Sequence, residues 1–132
     1  MKKRFTLMMM VLCILMSIPL KMMAFDVVTV KSDYNGGNWN GDYNSNFTFK
    51  TNDGKIYTCK LDNVPSGTTA IWFRIVKGGK EYGPKSDASQ DLLLTGSYQQ
   101  IYEGKAKALQ MNITPGKTSY TITYDYEKNL IM

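Results

Sequence analysis

The stretch Thr69-Ala-Ile-Trp-Phe-Arg-Ile-Val-Lys77 is the strongest strand signal in the chain and does most to limit what it can fold into. Side chains alternate across a strand, so Ile71, Phe73 and Ile75 share one face and Trp72, Arg74 and Val76 the other. The first face reads as core. The second sets a broad aromatic beside a cation, so it either packs under another layer with Arg74 reaching out to water, or presents a platform that stacks something flat.

Short strand signals recur along the chain. Asp26 to Val30 is β-branched and predicts a first strand, and the Gly- and Asn-rich stretch Ser32 to Ser45, which carries Tyr34, Trp39 and Tyr43, reads as a loop. Asn46 to Lys50 alternates, Thr51-Asn52-Asp53-Gly54 supplies a turn, and Lys55 to Leu61 returns, with Tyr57, Cys59 and Leu61 inward. Gly78-Gly79 predicts another hairpin, into Lys80-Glu81-Tyr82-Gly83-Pro84, and Pro84 argues for an edge strand. Asp91 to Leu94 reads equally as a short strand or a helical turn. Leu109, Met111 and Ile113 share a face, as do Tyr120, Ile122, Tyr124 and Tyr126, and Leu130 to Met132 predicts a last short strand.

No amphipathic helix of ten or more residues is present, and turn signals separate every strand. The expected fold is all-β, an antiparallel immunoglobulin-like β-sandwich of about seven to nine short strands, with a small antiparallel β-barrel as the alternative.

The N-terminus is read separately. Lys2, Lys3 and Arg4 precede an apolar run from Phe5 to Leu20, and Lys21-Met22-Met23-Ala24 ends on a small residue, the outline of a signal peptide spanning residues 1–24. Cys13 lies inside the apolar run and is read as part of the removed segment. Removal leaves a single domain, residues 25–132, and takes away 4 of the 16 Lys and Arg but none of the 11 acids, so the net charge falls from +5 to +1. Nucleic acid is therefore not an expected partner, since binding it needs clustered uncompensated cations. The expectation is export to the periplasm, the cell surface or the medium, with no membrane span in the mature chain.

The chain has no His, and Cys59 is the one cysteine beyond the signal segment. His-based nucleophile pairs, His metal sites and multi-thiolate zinc sites are thereby excluded, and acids in Gly/Asn-rich loops such as Asp33 and Asp42 read as turn formers. The domain is read as non-catalytic, with no cofactor and no metal site. Its chemistry is aromatic. Tyr and Trp join an apolar face to a polar tip, which suits the C–H faces and hydroxyls of sugars. Trp72 and Trp39 are the expected stacking residues, with Arg74, Tyr82 and Lys80 supplying polar contacts.

Several segments together resemble one repeat of the Bacteroidetes outer-membrane starch-binding proteins of the starch-utilisation type: Gly36-Gly37-Asn38-Trp39-Asn40, the hairpin with Asn52-Asp53-Gly54-Lys55-Ile56-Tyr57, Trp72-Phe73-Arg74-Ile75, Tyr82-Gly83-Pro84 and Tyr120-Thr121-Ile122-Thr123-Tyr124-Asp125. The resemblance implies a β-sandwich carbohydrate-binding module that holds α-glucan, as polysaccharide or oligosaccharide, by aromatic stacking and polar contacts. Those proteins usually carry several such domains and a lipid-modified cysteine, so a single module without that cysteine is expected to be secreted or periplasmic. The alternative function is a structural or adhesive β-sandwich whose partner is a protein, contacted through exposed edges and the Trp72 face.

Overall fold

The computed structural model describes residues 24–132; the signal-peptide reading falls almost wholly outside them. The strands are β1 (Val28–Lys31), β2 (Phe49–Thr51), β3 (Ile56–Leu61), β4 (Ala70–Lys77), β5 (Lys80–Gly83), β6 (Leu92–Leu93), β7 (Gln99–Gln100), β8 (Tyr102–Glu103), β9 (Leu109–Asn112), β10 (Tyr120–Asp125) and β11 (Leu130–Ile131). They form two open sheets, so the fold is a β-sandwich and not a closed barrel. The strands outnumber the expectation because four of them, β6, β7, β8 and β11, are only two residues long. No described helix is long and apolar enough to cross a membrane.

Sheet I is built on β4. Its first half, Ala70 to Phe73, pairs with β9, and its second half pairs with both β1 and β5. β8 and β6 extend the sheet at its ends, β6 running parallel to β9. Asp91 to Leu94 therefore contributes a strand and not a helical turn. β5 is not an edge, because β8, distant in sequence, covers it. Sheet II has the order β2-β3-β10-β11-β7.

The predicted alternation places the core. Ile71, Phe73 and Ile75 are buried from sheet I, as are Val28, Val30, Leu109 and Met111. Sheet II contributes Tyr57, Cys59, Leu61, Ile122, Tyr124 and Ile131. Phe47, which precedes β2, lays its ring 5.5 Å from that of Phe73. A two-residue turn fixes the β4–β5 register. Gly78 and Gly79 have φ of +59° and +76°, the doubly left-handed geometry that matches strand twist and that residues with a Cβ resist.

One end of the sandwich is closed by a tyrosine cage. Lys77 Nζ lies 4.3 Å from the Tyr126 ring centre, 5.1 Å from Tyr82 and 5.9 Å from Tyr124. It donates to the Tyr126 carbonyl and to Asn129 Oδ1, each at 2.9 Å. Tyr124 also donates its hydroxyl to Asn129, and Tyr57 and Tyr126 donate theirs to the carbonyl and carboxylate of Asp26.

The same burial predicts alkaline sensitivity. Burial pushes the Cys59 thiol up to about 11 and, with the Asp26 carboxylate, the Tyr126 phenol up to about 12, while Tyr124 and Tyr57 are also raised by burial. An unfolded chain loses these protons from about pH 9 to 10, before the fold does, so stability falls as pH rises through the raised values. Burial lowers the Lys77 pKa, a single contribution of opposite sign. The denaturation midpoint is expected to drop between pH 9 and pH 12, with tyrosinate absorbance rising together with unfolding. A midpoint flat across that range would contradict the cage as described.

Candidate functional site

The outer face of sheet I carries Trp72, Arg74 and Val76, and the Ser32–Ser45 loop folds over part of it. The loop is a built structure, organised by two buried polar residues, Ser32 and Asn44. Ser32 continues the inward positions of Val28 and Val30, and its hydroxyl donates to the Trp72 carbonyl at 2.6 Å. Asn44 Nδ2 donates to the carbonyls of Ser32 (3.1 Å) and Tyr34 (2.7 Å), and its Oδ1 accepts from the Asn46 amide N–H at 2.9 Å. Gly37 closes the ring. A Cβ there would lie 2.2 Å from the Ser32 carbonyl oxygen and 2.3 Å from Asn44 Nδ2, so close backbone approach demands glycine although its φ is ordinary.

This loop carries Trp39 to Arg74. The guanidinium carbon lies 4.9 Å from the Trp39 ring centre, a stacked cation–π contact. Arg74 is otherwise occupied. Nε donates to the Lys107 carbonyl at 2.9 Å, Nη2 to the Lys105 carbonyl at 2.6 Å, and Nη1 to Glu81 Oε1 at 3.3 Å. Its side chain is only 17% exposed and that of Glu81 14%, and Lys105 adds a second ion pair to Glu81 at 3.4 Å. Arg74 therefore acts as a bracket that orients Trp39 and ties the 104–107 turn to β4. Arg74 still lines the cleft, with three of its five N–H donors taken within the fold.

Trp72, by contrast, is open: it is 37% exposed. Trp39, Trp72, Arg74, Asp33, Asp91 and the Lys107 segment together line a shallow cleft of ≈ 320 Å³. Asp91 Oδ1 accepts the Ala108 amide at 2.8 Å, and Asp33 makes no capping bond to the short 3-10 turn that follows it. The rim therefore offers carboxylate oxygens to an incoming hydroxyl.

Of the five residues expected at the site, three meet here. Tyr82 and Lys80 do not. The Gly78-Gly79 turn sets Lys80 opposite Lys77 and Tyr82 opposite Ile75, so both fall on the face opposite Trp72. Tyr82 belongs to the Lys77 cage, and Lys80 is exposed, 3.9 Å from Glu103. Asp33 and Asp91, acids that the sequence allowed to meet in space but read as turn formers, do share this cleft, whereas Glu81 and Asn44 were not anticipated. Among the described residues no three of His, Cys, Asp and Glu are placed to hold a metal ion. No protein-family model, no curated protein and no solved structure matches the chain, so the cleft is interpreted from its own chemistry.

Proposed function

We propose that the chain is an exported, non-catalytic carbohydrate-binding domain for a neutral glycan of the α-glucan class. The observation that supports this reading most is the pair of indole rings on one open cleft, Trp39 oriented by Arg74 and Trp72 exposed beside it. Sugar C–H faces stack on such rings, and the carboxylates of Asp33 and Asp91 accept bonds from sugar hydroxyls. The cleft is lined by two carboxylates and two cations, Arg74 and Lys107, so no excess charge draws in an ionic ligand, which suits a neutral polyhydroxyl one.

A site of this size and openness is expected to bind with Kd near mM, about −4 kcal/mol. Calorimetric or NMR titration with α- and β-glucans tests the proposal. Trp72→Ala is expected to weaken binding at least about tenfold, a loss of roughly 1.4 kcal/mol. Absence of binding to every glycan, or equal binding by the variant, overturns the assignment. A stable oligomer that Trp72→Ala dissolves would instead favour the adhesive reading, with a protein partner on the same face.

A further inference from the structure

A second groove lies at the Gly78-Gly79 end of the same outer face and reaches round to Asp26 and Tyr126 at the cage. It has a volume of ≈ 470 Å³ and is lined by Tyr43, Tyr126, Thr29, Val76, Gly78 and Gly79, among others. Thr29 lies opposite Val76 in the register, so the groove opens on the face that also bears Arg74 and Trp72. Tyr43 is 52% exposed. Its ring is set by Lys31, whose Nζ sits 5.3 Å from the ring centre and donates to the Gly41 carbonyl. Nothing lies within 4 Å of where a Cβ would stand on Gly78 or Gly79, so the floor at that end is open backbone.

The aromatics therefore follow β4 in order. Trp72 comes first, Trp39 stands over Arg74, and Tyr43 borders the groove beside Val76. A strand advances about 3.3 Å per residue, so Trp72 to Gly78 spans roughly 20 Å, the length of several linked sugar rings and far more than one. A site built for a terminal sugar needs one closed pocket. Two open grooves at the two ends of β4, with the largely buried Arg74 and Val76 and their covering loop between them, suit an internal stretch of a chain.

Resting on the glycan reading above, we infer that the ligand is an extended oligosaccharide segment laid along the outer face of sheet I, with Tyr43 and the Gly78-Gly79 backbone forming the far subsite. The linkage between subsites raises affinity with chain length, because each further ring meets a preformed surface without a second loss of translational freedom.

The test is a titration ladder of linear α-1,4 and β-1,4 gluco-oligosaccharides, from glucose to a hexasaccharide, on the wild type and on Tyr43→Ala. Affinity is expected to rise with length in the wild type. Tyr43→Ala is expected to weaken hexasaccharide binding roughly tenfold, down to the level of the shorter chains. The Gly78 and Gly79 amide signals provide an independent readout: they are expected to shift on adding hexasaccharide and not on adding glucose. Affinity independent of length, with Trp72→Ala still abolishing binding, overturns the extended-site inference and leaves the glycan reading intact. Hexasaccharide binding that Tyr43→Ala does not weaken and that does not move those two amides overturns it as well. Failure of every glycan to bind the wild type removes both.

Discussion

Phe73→Ala is expected to lower the unfolding free energy by about 3–5 kcal/mol, the range for deleting a fully buried aromatic. Phe73 is fully buried at the centre of β4, where sheet I faces sheet II, and its ring meets that of Phe47. For a domain of this size the loss corresponds to a fall in Tm on the order of 20 °C. Phe73→Leu, which keeps most of the volume, is expected to cost markedly less. The informative comparison is the neighbouring residue. Trp72 points the other way, so Trp72→Ala is expected to leave Tm within a few degrees while weakening ligand binding at least about tenfold. Thermal melts of the two variants check this, and a Trp72→Ala loss as large as that of Phe73→Ala would mean that the outer face is packed and is no platform.

The second large effect belongs to Arg74. Arg74→Ala deprives two carbonyls of donors, leaves a mostly buried Glu81 with Lys105 alone and removes the surface on which Trp39 stacks, and a loss of about 2–3 kcal/mol is expected. Glycan affinity is expected to fall with it, through Trp39. Arg74→Lys separates the contributions. A lysine keeps the charge beside Glu81 but cannot serve both the Lys105 and Lys107 carbonyls while presenting a planar group to the indole. It is expected to restore part of the stability and little of the binding, with Trp fluorescence shifted toward that of an exposed indole. A lysine variant equal to wild type in melting, fluorescence and binding would show that the bracket is not needed.

Period-2 alternation made both faces of β4 legible from the chain alone, because burial on one side of a sheet writes itself directly into residue type. Asp53-Gly54 and Gly78-Gly79 marked two hairpins, the first through side-chain bonds of Thr51 and Asp53 to the turn, the second through two left-handed glycines. Tyr82 and Lys80 were placed wrongly at the site although the information was present: a two-residue turn fixes which residues stand opposite, and counting from Gly78 puts Tyr82 beside Ile75. Other features were not legible. β6 is a strand only because it lies along β9, and β5 is interior only because β8 reaches it. The role of Asn44 depends on backbone carbonyls that the fold brings to it, and an Asn in a Gly-rich loop gives no hint of that. The bracketing role of Arg74 was not legible, because residue type shows what a guanidinium can bind and not which carbonyls the fold brings to its donors.

The pairing of β3 with β10 bears on how the molecule is assembled in time. Cys59 faces Ile122 across about 60 residues of chain, and contacts that distant form slowly, because loop closure must precede them. β10 lies between β3 and β11, so sheet II lacks its middle until residues close to Met132 are available. The strands that flank β4 in sheet I, β1, β5 and β9, all precede β10 in the chain. Synthesis therefore completes the strands around β4 before it completes sheet II, and a chain stopped before Tyr120 leaves β3 without its partner and much of the inner face of sheet I open to water.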